Sequence, residues 1–305
     1  MLIRVLIALS FIASFQAQGI AQLIDHQGDT WVQRGVEAFN KRDYVDALQC
    51  FTTALPLVSK SNNEAKLGQV YKFIGDVYVA RNYYRQAIDH YREALPLLRK
   101  TDQLSLLSES LEKMAGIQAD FGYIPQAINH YNRALVIKNG MNDATGALFC
   151  HQKLSRLYFS QGNYEEALSH NSALLSISGA DAPADALIQR GIILTFMDRC
   201  KEAESVLGQA SKVLASHNNP SLVIQWLAAR SNVYLAKKDK IQANIYLDSA
   251  KVLIRGTQSP ELAIDALEQM SIIHHKNGDH LEAYEALVLL DMYKDVYRNE
   301  NIERI

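Results

Sequence analysis

Three histidines crowd one short stretch, His274, His275 and His280, and they are the only place where side chains able to bind a metal cluster in the sequence. Adjacent residues of a helix project about 100° apart. His280 falls across a turn from the other two, so the imidazoles do not converge as a tetrahedral metal site requires. Serine, histidine and aspartate are plentiful, but a nucleophile elbow needs a strand feeding a helix, and the sequence offers no strand. Neither common glycine-rich phosphate loop is present. Carboxylates such as Glu165 and Glu166 stand where a helix begins and its dipole favours negative charge. The sequence therefore predicts no catalytic residue, no metal and no cofactor, and the chemistry left to it is binding.

Composition narrows the partner. Among 305 residues, 31 basic and 33 acidic side chains give a net charge of -2, which is no electrostatic footprint for nucleic acid. With 48% hydrophobic residues, 6 prolines and 15 glycines, little of the chain is free to be linker. Cys50, Cys150 and Cys200 lie far apart along the chain and are expected to be unpaired, largely buried thiols. Residues 1–21 read as a signal peptide: Arg4 supplies the positive end, Val5 to Phe15 form an apolar run of eleven, and a cut follows Gly19 or Ala21. Eleven apolar residues are too few for a bilayer, which takes about 20, and no later segment is apolar enough for a membrane span in the mature chain. The predicted location is exported, periplasmic or extracytoplasmic. The alternative is a cytoplasmic protein whose apolar N-terminus is a cap helix.

The elements that position these residues follow from an internal repeat. A small residue is followed twelve positions later by alanine at Gly35/Ala47, Gly75/Ala87, Ala115/Ala127, Ser155/Ala167, Gly191/Ala203, Ser231/Ala243 and Ser271/Ala283. Successive alanines are 40, 40, 40, 36, 40 and 40 residues apart. Small residues at both sites let two helices approach closely, the small residue facing the alanine. A column of larger residues, Phe51, Tyr91, Tyr131, Asn171, Leu207, Leu247 and Leu287, is expected to fill the groove between neighbouring hairpins. Asn171 makes the fourth repeat the irregular one.

In the stretch Gly68 to Leu98, Tyr71, Gly75, Tyr78, Ala87, Tyr91 and Ala94 resemble the tetratricopeptide repeat (TPR) signature in order and spacing. That resemblance implies an all-α fold, an α-solenoid (right-handed superhelix) of about seven helix-turn-helix units with a 40-residue period. The units lie near 28–61, 68–101, 108–141, 148–181, 184–217, 224–257 and 264–297, within a solenoid over 22–290 and before a helical tail at 291–305. The surplus over the usual 34 residues is assigned to the first helix of each pair, beginning at Asn63-Glu64, Thr101-Asp102, Asn219-Pro220 and Ser259-Pro260. The 36-residue interval drops about one helical turn near Gly179 to Pro183. Pro56 and Pro96 are expected to kink or end their helices. Arg190 and Arg230, at equivalent positions, read either as a local variant of the groove or as stems lying over apolar surface.

The resemblance also implies a concave groove lined by first-helix residues, here Lys72, Asp76, Glu112, Gln152, Arg156, Gln189, Asn232 and Gln269, taking an extended peptide or protein segment. The family's carboxylate clamp is not reproduced, since Asp76 rather than asparagine follows Lys72. Leu289 to Ile305, LLDMYKDVYRNENIERI, resembles the junction between exported TPR sensory regions of bacterial signal-transduction proteins and their coiled coils. The expected function is a non-enzymatic scaffold that binds protein or peptide in envelope signalling. It is expected to be a monomer in isolation, its last helix, with Tyr293, Val296 and Tyr297, packed on the seventh repeat.

Overall fold

This computed structural model describes residues 25–216, 219–256 and 278–302, with residues 264, 267, 268, 270, 271, 274 and 275 between them. Residues 1–24, Ser259-Pro260 and Gln269 lie outside the described residues, and with them the signal-peptide reading. Everything described is helix, short 3-10 turn or connecting turn, with no strand among the described residues.

Helix α1 covers residues 25–40. It is followed by α2 (Tyr44–Lys60), α3 (Glu64–Ala80), α4 (Tyr84–Lys100), α5 (Leu104–Asp120), α6 (Ile124–Gly140), α7 (Ala144–Ser160), α8 (Tyr164–Ser178), α9 (Ala184–Phe196), α10 (Cys200–Ala215), α11 (Pro220–Ala236), α12 (Lys240–Gly256) and α13 (His280–Ile302). From Tyr44 to Ala184 a helix begins every 20 residues, typically 17 residues of helix and a three-residue turn. The surplus over the 34-residue repeat is therefore shared by both helices of a pair, not lodged in the first as expected. One added turn in each keeps the two helices equal in length, so neither end of a hairpin is left without a packing partner.

The turns share one device. Their central residues, Arg42, Asn62, Asn82, Asp102, Gly122, Asn142, Gly162, Asp198, Lys238 and Gly278, all have φ between 54° and 78°. This left-handed residue lets the next amide reach back over the helix end, as Tyr83 N–H does to the Tyr78 carbonyl (2.8 Å) and Tyr123 N–H to Gln118 (2.8 Å). The following helix is often capped from the same turn. Asn63 Oδ1 accepts from Lys66 N–H (3.1 Å), Asp143 Oδ1 from Gly146 N–H (2.9 Å) and Asn219 Oδ1 from Leu222 N–H (3.3 Å), each bond stabilising its helix by about 1 kcal/mol.

The shortened interval has a defined seat. Helix α9 has 13 residues, and Gly191 comes seven residues after its start, whereas Gly75 comes eleven after the start of α3. The missing turn is the first turn of α9, next to a 3-10 turn at Gly179–Asp181, where the sequence placed it. Pro56 and Pro96 do not end their helices; both rings face solvent and α2 and α4 run on to Lys60 and Lys100. Only the last turn lies beyond each proline, so the lost hydrogen bond falls where water can replace it.

The chain divides into two compact units, Met1–Cys150 and His151–Ile305, the division falling within α7. In the first, α3 packs on α4 and α5 on α6. The large column residue packs inside its own hairpin and, as expected, against the next one as well: Phe51 stacks on Phe73 of α3 (5.4 Å), and Tyr91 joins a core with Met114 and Ile117 of α5. A β-carbon on Gly35 would stand 2.6 Å from the Phe51 ring, and one on Gly75 2.7 Å from Tyr91. In the second unit Gly191 has the same relation to Leu207 (2.6 Å). The small residue is thus required by a ring or isobutyl group sixteen positions on. The alanine twelve positions on is also buried, and in the fourth repeat Ser155 donates to the Ala167 carbonyl at 2.9 Å. Asn171 is buried too, its amide nitrogen donating to the Ala186 carbonyl (2.9 Å) and so tying the fourth repeat to its successor, while its Oδ1 has no partner among the described residues. Leu287 breaks the column: it is half exposed, and Ala286 is buried instead.

At the end of the second unit, Ala286 and Leu290 of α13 join a core with Ile224, Leu247, Ile254, Leu267 and Met270. Tyr293 Oη donates to the Ile254 carbonyl (3.2 Å), and Lys294 pairs with Glu268 (2.7 Å). The side chains of Val296 and Tyr297 lie outside the described residues.

Candidate peptide-binding surface

In the first unit the predicted groove residues are drawn into two internal networks. Lys72 Nζ sits between Asp76 Oδ2 (2.9 Å) and Glu109 Oε2 (3.0 Å), and Asp76 Oδ1 accepts from the hydroxyl of buried Tyr91 (2.7 Å). Burial opposes the Lys72 charge, but Asp76 and Glu109 outweigh it and hold the ammonium above its usual range. Glu112 belongs to the second network. Lys138 Nζ lies 3.5 Å from it and 3.0 Å from Asp143, and the Cys150 thiol approaches it at 3.9 Å. Burial raises the Glu112 carboxyl and, with Glu112 beside it, pushes the Cys150 thiol up to about 12.

Lys138 occupies the column that Val58, Leu98, Leu214 and Ile254 fill in other repeats, and all of these are buried. It fits because of Gly146, where a β-carbon would come within 2.5 Å of the lysine stem. Sequence reasoning missed Lys138 and Glu109, and it named Tyr91 as a packing residue without its hydroxyl's bond to Asp76. The lysine in an otherwise apolar column was a visible signal; the contacts between repeats were not.

In the second unit Gln152 hydrogen bonds Asp185, the counterpart of Lys72 with Glu109. The two pairs span 37 and 33 residues, a difference of one helical turn, so the shortened α9 preserves this contact between successive repeats. Beside Asp185 an open recess of about 1000 Å3 is lined by Asp181, Lys212, Ser216 and Asn219. Arg156 is exposed and Gln189 half-buried. In repeat register, however, the positions equivalent to Lys72 and Asp76 are Ile188 and Ile192, both buried in the core. Asn232 is 3% exposed, and its amide nitrogen has no hydrogen-bond partner among the described residues. Gln269 lies outside the described residues.

The arginines do more than lie over apolar surface. Arg190 donates to Ser172 Oγ (2.8 Å). The Arg230 guanidinium lies among the rings of Trp226, Tyr234 and Tyr246, 5.8, 5.3 and 5.2 Å from their centroids, a set of cation–π contacts.

A regular row of histidines also escaped the sequence reading: His90, His130 and His170, 40 residues apart. His90 stacks on Tyr78 (5.3 Å) and His170 on Tyr158 (5.4 Å), while His130 Nδ1 meets Gln118 Oε1 at 2.7 Å. His170 Nδ1 also lies 2.9 Å from His151 Nδ1, so one imidazole donates and the other accepts. Burial lowers all three, and with His151 beside it His170 falls to about 4. Of the histidines first singled out, His275 and His280 bring their rings to 5.5 Å, while His274 is buried near Asp279 (3.9 Å). No group of three potential metal ligands forms among the described residues.

Comparison with known proteins agrees with this architecture. The profile of the soluble NSF attachment protein (SNAP) family matches residues 10–146. No curated protein matches the sequence. Among solved structures, the apo form of RapI superposes with a TM-score of 0.68 at 13% identity, covering 89% of this chain and 99% of its own. The Rap conjugation gene regulator of the plasmid pLS20, in complex with a Phr peptide, gives 0.60 at 16% identity over 88% of this chain and 74% of its own. The C-terminal part of a TPR repeat-containing protein from Cytophaga hutchinsonii gives 0.55 at 15% identity over 85% and 93%. Identities this low show likeness of fold. The chain has the TPR-type helical-repeat fold, and among the described residues no helix is long and apolar enough to cross a membrane.

Proposed function

We propose that the protein is a non-enzymatic scaffold that binds an extended peptide or protein segment through first-helix residues of its second unit. The observation that carries this is Asn232, a buried amide with an unused donor. A buried donor left unpaired costs about 1–3 kcal/mol, and a peptide carbonyl would satisfy it. Arg156, exposed, and Gln189, half-buried, add polar contacts on other first helices. The first unit's counterparts are spent on Glu109, Tyr91 and Lys138 and serve to hold the repeats together. The fold shared with a Rap protein in complex with a peptide supports the reading.

The test is a peptide selected by phage display against the full chain and titrated calorimetrically. Asn232→Ala should weaken binding about tenfold, as loss of one buried hydrogen bond does. Unchanged affinity in that variant, with the circular dichroism preserved, would remove the groove reading.

The finer reading is an exported monomer acting as a sensory or adaptor module in envelope signalling, with the cytoplasmic peptide-binding regulator as the alternative. N-terminal sequencing of the cellular protein separates them. A chain starting after Gly19 or Ala21 supports export, and one starting at Met1 in the cytoplasm ends it.

A further inference from the structure

A second surface, on the opposite kind of helix, is built for a different contact. Arg85, Arg92 and Arg99 recur every seven residues along α4 and so share one face, with Ile88 between them. This face borders a cavity of about 370 Å3 between α4 and the end of α5, lined by Ile88, Arg92, Ile117, Phe121 and Tyr123 among others. Phe121 and Tyr123 are 58% and 59% exposed, and the Phe121 ring meets Tyr84 edge-on at 5.6 Å. Neither ring is needed where it is to close the turn, since the turn's reversal rests on backbone bonds and on Gly122.

The charge around the cavity is mainly positive: Arg85 and Arg92 line it with a single carboxylate, Asp89. Helix α6, from Ile124 to Gly140, contains no carboxylate and carries the half-buried Arg133. Burial and Arg99 both disfavour the Arg133 charge, and Arg133 and Arg92 together act on His130. Against these four guanidinium groups α4 offers Asp89, 3.4 Å from Arg92 in an exposed pair, and Glu93. Among the described residues neither Arg99 nor Arg133 has a carboxylate partner. A surface richer in guanidinium groups than in carboxylates attracts an anion, and guanidinium groups bind carboxylates through two parallel hydrogen bonds. Arginine and tyrosine around an apolar pocket are also the residue types that dominate binding energy at interfaces.

We propose that this face docks an acidic segment of a partner protein, which inserts one aromatic or aliphatic side chain into the cavity between α4 and α5 and lays its carboxylates along Arg92, Arg99 and Arg133. The site is separate from the first-helix groove and is occupied independently of it. Its ligand is acidic, whereas the groove takes an extended peptide through uncharged and cationic side chains, Asn232, Gln189 and Arg156.

The experiment uses the full chain and a fluorescein-labelled synthetic peptide of about twelve residues, aspartate and glutamate with a central phenylalanine, read by anisotropy. Its comparison probes are the same peptide with glutamine for every acid, the same with alanine for phenylalanine, and a thymidine oligonucleotide of equal length. The acidic phenylalanine peptide should bind at least about tenfold more tightly than either altered peptide, and more weakly as salt rises. Arg92→Ser and Phe121→Ser, both at exposed positions, should each weaken it about tenfold with circular dichroism unchanged, while Asn232→Ala leaves it as it was. No binding at millimolar peptide, equal binding of the glutamine or alanine peptide, or tighter binding of the oligonucleotide would overturn the proposal. So would loss of binding in Asn232→Ala together with retention in Arg92→Ser, which would return the peptide to the groove.

Discussion

Gly75 lies so close under Tyr91 that a β-carbon on the glycine would stand 2.7 Å from the ring, while the tyrosine hydroxyl reaches past it to Asp76 at 2.7 Å. The ring is fully buried and held at its far end, so it has no way to yield. Gly75→Ala is expected to destabilise the first unit by about 1–3 kcal/mol, the usual cost of overpacking. Gly208→Ala in α10, where a β-carbon meets nothing within 4 Å, should instead stabilise by about 0.5–1 kcal/mol through helix propensity. Urea unfolding of the two variants reads both signs, and equal effects would argue against the hairpin register.

Lys138 offers a test of buried charge. Its side chain is 9% exposed and that of Glu112 17%. Lys138→Leu restores the apolar column but strands Glu112, and should cost about 3 kcal/mol. Adding Glu112→Leu removes the stranded carboxylate, and the double variant should recover most of that loss. A double variant no better than the single would place the lysine's value in Asp143 and the turn rather than in Glu112.

Acid should loosen the histidine row. Burial holds His90, His130 and His170 below the ordinary imidazole value of about 6.5. Above that pH neither the folded nor the unfolded chain is protonated at these sites, and stability is complete. Below it the unfolded chain takes up protons that the folded chain refuses, so stability declines as pH falls, for His170 until about 4. The urea midpoint should therefore drop between pH 7 and 5. His170→Phe keeps a ring on Tyr158 and should lower the linked proton uptake by about one; an unchanged slope would refute the assignment.

Two turns carry strain that the others avoid. Arg42 and Lys238 adopt φ of 62° and 64°, where most of their counterparts are asparagine, aspartate or glycine. Left-handed backbone costs an ordinary side chain about 1–2 kcal/mol, partly offset by the greater freedom of glycine in the unfolded chain. Arg42→Gly and Lys238→Gly should each stabilise by about 0.5–1 kcal/mol, and Gly122→Ala, at φ 78°, should destabilise by about 1 kcal/mol. Thermal unfolding of the three variants checks the order.

The repeat, its period and its irregular turn were legible in the chain alone, because close packing of paired helices demands small residues at fixed intervals and turns demand residues that tolerate left-handed backbone. Gly75 with Ala87, the N-cap and proline at Asn219-Pro220, and the turn missing before Gly191 are all local or strictly periodic signals. Which partner each small residue meets was decided only in three dimensions. Periodicity names the buried face of a helix, but the crossing of two helices sets the Tyr91 ring directly over Gly75. The same holds for the groove: Lys72 and Glu112 stand on the predicted face, yet Glu109 and Lys138 reach them from neighbouring helices and take up their charge. Asn232, by contrast, has a donor that no side chain among the described residues reaches, and that difference arises from packing between helices, which residue spacing within one helix does not encode.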